Sequence, residues 1–434
     1  MNGTAPLTLP GGLPLWIEPR SGPAILAARL IIPGGSGGDP RHGRGSHQLL
    51  AGLMTRGCGN LDAEALADLI EGAGAGLRAD AQEDALLVGL KCAADDAATL
   101  LPLLLRMVRQ PLLAADQFEL EQQLNIQTLQ RQREDPFQLA HDGLRQLLYK
   151  DGPYGHDPLG VEEELAALAP EALPPLVRDL GRRGAVLVLC GDAPDGVIEL
   201  LEDELAAAPW STGLPQGEPP VAEPARGHRL GRQIQDTEQL VLMLGAPTVP
   251  LGHPDALPLR LLQDHLGVGM SSRLFVVMRE ERGLAYDVGV HMPTRCGPAP
   301  WVMHLSTSAD RAEEATACLL DEWQRVLETP LVEEERTLAL AKVRGQEAMG
   351  RQTCGQIADR LAVLLSHHLP LDQVERSLER AARLEGTDLL GAAQRWLQRP
   401  CLSLVGPEAA VAAAERAWQR HPLSGEPAAP ASPD

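Results

Sequence analysis

The chain repeats itself, and that repetition constrains its fold more than any other feature. ALLVGLKCAADDAA, from Ala85 to Ala98, is followed by an apolar helical run and then by PLLAADQFELEQQLN, residues 111–125. The order returns later: WVMHLSTSADRAEEA, residues 301–315, then a helical run, then PLVEEERTLALAKV, residues 330–343. Each series closes on a strand ending in glycine, AVLVLCGD and CLSLVGPE, with Gly191 and Gly406 as the closing residues. Order and spacing recur together, which is the signature of an internal duplication. Strands alternate with helical runs of varied length, and no strand leads into a Gly-rich phosphate loop. The expected fold class is therefore α+β, in two homologous halves, and not a nucleotide-binding α/β sheet.

Periodicity places the elements. Strands are expected from Leu15 to Glu18, Ala24 to Ile32, Ala85 to Cys92 and Gly184 to Cys190. Helices are expected from Ser46 to Thr55 and Asp62 to Ala73, and over 95–109, 115–133 and 137–149. Residues 208–226 are rich in Pro and Gly and carry no apolar period. The domain expectation is an N-terminal half over 1–210, a linker over 211–226, a C-terminal half over 227–422 and a disordered tail over 423–434.

Charge and cysteines narrow the function. The net charge is −21, which argues against nucleic acid as a partner, since phosphate binding needs clustered Lys and Arg. An acidic surface is usually solubilising, and it also fits capture of basic peptides. Aromatic residues make up only 3% of the chain, so the core must be built from Leu, Ala and Val. The seven cysteines are scattered and form no CxxC pair, against both a disulfide framework and a cysteine zinc site. The N-terminus shows no secretory pattern and no apolar run is long enough for a bilayer, so a soluble, cytoplasmic protein with no membrane partner is expected.

The segment SSRLFVVMREERGLAY, from Ser271 to Tyr286, carries the chemistry. It places Arg279 seven residues before Tyr286 across a Gly-containing turn, beside the small residues Gly267, Gly269, Ser271 and Ser272. Alone, MREERGL is also an ordinary charged helix end with Gly283 as its cap. With SSRLF and GLAY around it, the segment resembles the second-half signature of the insulinase/pitrilysin family of zinc peptidases. The resemblance covers nearly all of residues 7–410. It implies that each half is a mostly antiparallel sheet with helices packed on one face, as in a processing-peptidase clamshell. It also implies that Arg279 and Tyr286 reach the substrate at the metal. A tyrosine hydroxyl can donate to the oxyanion of the tetrahedral intermediate, and an arginine fork can hold a peptide carbonyl or carboxylate.

The companion motif is degenerate. The family carries His-x-x-Glu-His on its first core helix, with a further glutamate on a later helix. The matching segment is GSHQLLAGLMTRGC, Gly45 to Cys58, with Gly45 and Gly57 fixing the register. The ligand and base positions fall on Gln48, Ala51 and Gly52, and Thr128 and Leu129 stand where the distal glutamate belongs. A register shifted by one puts His47 on the first position but Leu50 and Ala51 on the others. One histidine cannot hold a catalytic zinc that needs three protein ligands. No metal and no cofactor is expected on this chain. The Gly-rich substrate loop of the family's α-type subunits is not matched by Gly267 to Gly269.

The resemblance therefore implies the non-catalytic, substrate-binding subunit of a heterodimeric zinc peptidase. Its partner would be a homologous subunit bearing His-x-x-Glu-His and the zinc, its substrate a short or unfolded peptide. The family's pairing surface also allows a homodimer when that partner is missing. The alternative is a catalytically inert scaffold or peptide-binding protein of the same fold. A self-sufficient peptidase with a different metal site finds no support in the His, Asp and Glu pattern.

Overall fold

The computed structural model describes residues 6–210 and 229–425. The expected linker, 211–226, lies outside them, as does the tail beyond Gly425. The first half runs β1 (Leu7–Leu9), β2 (Leu13–Glu18), β3 (Ile25–Pro33), α1 (Ser46–Met54), α2 (Ala63–Gly72), β4 (Gly76–Ala81) and β5 (Ala85–Ala93). It continues with α3 (Ala97–Arg109), α4 (Ala115–Gln132), α5 (Pro136–Tyr149), α6 (Glu162–Ala166), α7 (Leu173–Asp179), β6 (Val186–Gly191) and α8 (Val197–Ala207). The second half runs β7 (Leu230–Ile234), β8 (Gln239–Pro247), α9 (Ala256–Gly267), a π-helical segment (Phe275–Glu281), β9 (Asp287–His291) and β10 (Pro300–Ser308). It ends with α10 (Ala312–Glu328), α11 (Glu333–Met349), α12 (Cys354–Ser366), α13 (Gln373–Ala381), α14 (Gly386–Trp396), β11 (Cys401–Gly406) and α15 (Glu408–Arg420).

The two sheets share a plan. The first has the order β1-β2-β6-β3-β5-β4 and the second β7-β11-β8-β10-β9. In each, one strand pairs in parallel, β2 with β6 and β7 with β11, and the other neighbours are antiparallel. Removing β1 makes the two orders superimpose strand for strand, as the repeated sequence requires. The α+β expectation therefore holds, in two mixed, largely antiparallel sheets.

Helices on one face only is the part that fails. β6, VLVLCG, and β11, CLSLVG, are buried along their whole length. In β3, Leu26, Ala28, Leu30 and Ile32 join one core with α1 and α3. Ala27 and Ile31 point the other way, with Val186, Val188 and Cys190 of β6, onto Ala358, Leu361 and Ala362 of α12. Strands that are apolar on both faces must be covered on both. In the second sheet α5 fills the same role against β7, β8 and β11. A Cβ on Gly245 of β8 would lie 2.8 Å from Leu144 Cδ2, so glycine there lets the helix seat closely.

This second cover corrects the division into halves. The first compact unit includes residues 346–375, hence α12, and the second includes residues 132–151, hence α5. The sheets follow the sequence halves, while these two helices are exchanged. The ordered chain also runs past 422: Pro422–Ser424 forms a 3₁₀ turn with Leu423 buried, so the expected tail boundary at 423 is too early. Among the described residues no helix is long and apolar enough to cross a membrane.

α12 is held by charge as well as by packing. Arg29, buried within β3, donates from Nε to Asp359 Oδ1 at 2.5 Å, and its Nη1 donates to the carbonyls of Ala28 and Leu90. The helix opens on a capping box between Thr353 and Gln356. Asp359→Ala leaves the Arg29 charge buried without its carboxylate, and should lower stability by about 2 kcal/mol in denaturant melts. An unchanged midpoint would mean that packing alone seats α12.

Candidate functional site

α1 is fixed at its start by a buried carboxylate. Asp39 accepts from Gly45 N at 2.6 Å, His47 N at 3.0 Å and Ser46 Oγ at 2.9 Å, which satisfies amides a helix start leaves open. His47 Nδ1 lies 2.7 Å from the same carboxylate, and His156 Nε2 lies 3.8 Å from it. Burial opposes ionisation of Asp39, but the contacts from His156, His47 and Gly45 together hold its carboxyl well below the usual range. Gly45 has φ +103°, and a Cβ there would meet Leu159 O at 2.6 Å. His47 is thus bound into the helix start.

Farther along α1, Gln48 Oε1 accepts from Ala81 N at 2.9 Å, at the end of edge strand β4. Ala51 is buried in the core. Above Gly52 lies a carboxylate: a Cβ on Gly52 would stand 2.2 Å from Glu121 Oε1. Arg56 donates to that same Glu121 from Nε at 3.2 Å and Nη2 at 3.1 Å. On α4, Thr128 Oγ1 donates to Leu124 O and receives Arg131 Nη2, while Leu129 lies in the core.

The arginine–tyrosine segment is built differently. Leu274 and Met278 are buried on one side of the π-helical segment, and Arg273 makes a two-point ion pair with Glu322 of α10, at 2.5 and 2.9 Å. Arg273 therefore anchors the segment. Gly283, at φ +58°, turns the chain; Leu284 N and Ala285 N both return to Met278 O. Tyr286 N then bonds Ser306 O on β10, and β9 begins at the next residue. This brings the predicted pair together. Arg279 Nη1 donates to Tyr286 O at 2.9 Å. Its guanidinium lies over the Phe275 ring, 5.0 Å from the centroid, and over the Tyr286 ring, 5.4 Å away. Tyr286 is 76% exposed, and its hydroxyl has no protein partner among the described residues. A donor hydroxyl and an arginine fork thus stand in solvent with their backbone fixed beneath them.

Family profiles match both halves. The profile described as Insulinase (Peptidase family M16) matches residues 20–160, and that described as Peptidase M16 inactive domain matches residues 182–343. The chain belongs to the insulinase family, M16. An uncharacterized zinc protease of Streptomyces coelicolor is 22% identical across 92% of this chain and 89% of its own length. A peptidase M16 inactive domain from Pseudomonas fluorescens has the same fold, with a TM-score of 0.84 and 22% identity over 93% of this chain and 98% of that one. So does a chain of complex III2 from Candida albicans, with a TM-score of 0.77 and 14% identity over 93% and 96%.

The insulinase-family zinc does not fit the residues present. The first ligand position offers an amide oxygen already held by Ala81 N, and the next two offer no donor. Thr128 is engaged on its own helix. Among the described residues no three His, Cys, Asp or Glu side chains are gathered to hold a metal ion.

A histidine group in the second unit escaped the sequence reading. His141 of α5, His291 of β9 and His304 of β10 stack in turn, with ring centroids 5.7 and 5.9 Å apart. Phe137 meets His304 edge-on, and His304 Nε2 lies 3.5 Å from Asp287, the neighbour of Tyr286. Arg145 Nη2 donates to His141 Nδ1 at 3.0 Å, which fixes His141 as the neutral Nε2–H tautomer. Burial, reinforced by Arg145, Arg295 and the neighbouring histidines, pulls His141 down to about 3 and His291 to about 4. His141 lies 150 positions before His291 in sequence, and no local spacing connects it to the two strand histidines.

Two outcomes follow from this geometry. Gln48→Ala leaves the Ala81 amide without its acceptor; stability should fall by about 1 kcal/mol and exchange of that amide should quicken. For the histidines the folded values lie below the unfolded value of 6.5, so the unfolded chain takes up protons first as pH falls. Their stabilisation is complete above pH 6.5 and is lost as pH falls from there toward 4. The folding constant should drop about tenfold per pH unit for each histidine across that window. His141→Asn should flatten the profile; an unaltered slope would show that other groups set it.

Proposed function

We propose that this chain is the non-catalytic subunit of a heterodimeric zinc peptidase. It binds short or unfolded peptides and presents Arg279 and Tyr286 to the active site of a homologous subunit that carries His-x-x-Glu-His. The supporting observation is a contrast within one chain. The arginine–tyrosine pair is assembled and open to solvent, with Nη1 of Arg279 on Tyr286 O. The metal helix has its corresponding positions filled by Gln48, Ala51 and Gly52.

The partner supplies the metal and the water. Tyr286 donates its hydroxyl proton toward the oxyanion that forms at the scissile carbonyl, and Arg279 offers its fork to a substrate carbonyl or carboxylate. Stacking of Arg279 between Phe275 and Tyr286 limits the conformations both side chains must give up when substrate arrives. The cytoplasm is the proposed setting, in keeping with cysteines that form no disulfide among the described residues.

Affinity capture from the native extract should return a chain of similar length bearing His-x-x-Glu-His, and the reconstituted pair should cleave unfolded peptides. Tyr286→Phe in that pair should cut kcat roughly a hundredfold, with complex formation unchanged. Wild-type turnover in that variant would remove the donated pair. A stoichiometric pair that cleaves nothing would favour the inert scaffold of the same fold.

A further inference from the structure

Two of the cysteines meet, and the proposed peptidase role uses neither. Cys190, near the end of β6, is fully buried on the sheet face that α12 covers, beside Val186 and Val188. Cys354 is the first residue of α12 and is only partly buried. Its Sγ lies 3.3 Å from where a Cβ on Gly191 would stand, next to Cys190 in the chain, and the two thiols are within hydrogen-bonding reach of each other. Burial, with Cys354 alongside, pushes the Cys190 thiol up to about 12. Cys190 is therefore slow to react by itself, and the first encounter with an oxidant falls to the accessible Cys354. The other cysteines offer no comparable pair: Cys58, Cys92, Cys318 and Cys401 are buried, and Cys296 is exposed.

We propose that Cys190 and Cys354 form a reversible intramolecular disulfide, a thiol-oxidation site that ties α12 covalently to the first sheet. The oxidant is a small disulfide such as oxidised glutathione. The Cys354 thiol loses its proton and its sulfur attacks one sulfur of that disulfide, forming a mixed disulfide and releasing one glutathione thiolate. The Cys190 sulfur, deprotonated in turn, then attacks Cys354 Sγ and expels the second glutathione. Two protein thiols lose two protons and two electrons, and one oxidised glutathione becomes two reduced ones. Without that bond, α12 is held by non-covalent contacts, among them the Arg29–Asp359 pair, the apolar contacts of Ala358, Leu361 and Ala362, and Arg20 Nη2 donating to Gln352 O just before it. Oxidation would add a covalent tie at the N-terminus of a helix that is otherwise held by packing and charge alone.

The test uses the full-length chain, folded, with oxidised glutathione. Peptide mapping without reductant should recover a Cys190–Cys354 linked peptide, and dithiothreitol should abolish it. Free thiols should fall by two beyond the adduct carried by Cys296, and amide exchange in α12 should slow in the oxidised protein. Cys354→Ser should lose the linked peptide and the slowing together. That variant changes a partly exposed side chain, so the test does not depend on tolerance of a substitution at buried Cys190. A glutathione adduct resting on Cys354 with Cys190 still reduced would overturn the proposal. So would a linked peptide that forms only in denaturant.

Discussion

The strands at the centre of each sheet are apolar on both faces, and everything else in the fold follows from covering them twice. One face of the first sheet takes α1 and α3 from its own half. The other takes α12, which lies in the second half of the sequence. The second sheet takes α5 on β7, β8 and β11. Burial of a Val or Ile side chain contributes on the order of 1.5–3 kcal/mol, so a face carrying Trp16, Ile31, Val186 and Val188 could not be left to solvent. Arg29 shows how firmly the register is set. A charge buried in β3 is tolerable because Asp359, on the exchanged helix, arrives opposite it.

The two candidate segments rest each on its own sheet and use it in opposite ways. On α1 the positions that would serve a metal are occupied by structural contacts: Gln48 ends the edge strand, and the Arg56–Glu121 pair fills the space over Gly52. At the π-helical segment the inward contacts belong to Met278 and to Arg273 and Leu274 just before it, which leaves Arg279 and Tyr286 with open donors. A π turn inserts a residue into a helix and often marks a functional place. Here it sets Phe275 beneath Arg279 and sends the chain through Gly283 directly into β9.

Much of this was legible in the sequence because it is local. The repeats ALLVGLKCAADDAA and WVMHLSTSADRAEEA become β5 into α3 and β10 into α10, each through a 3₁₀ turn. Asp62 before a helical period became the cap of α2, accepting from Ala65 N. Arg279 and Tyr286 lie seven residues apart, and their side chains were found together. What stayed hidden depends on long-range packing. β4 is a short edge strand carrying Gly, Arg and Asp, with too little apolar alternation to read. Periodicity gives α5 its helical form, but a helical period does not name the sheet the helix will cover. Stacking of His141 on His291 is equally invisible, since it follows from where α5 docks.

The exchange of α5 and α12 carries a consequence for how such a chain could arise. Two copies of one ancestral half, each lending its helix to the other's sheet, make a domain-swapped dimer. Joining them end to end preserves every packing surface while making the swap permanent. The fused chain can then let its halves diverge in sequence while each sheet still takes a helix from the other half. A proteolytic cut between residues 210 and 229 would sever the backbone and still leave each fragment wrapped in a helix of the other.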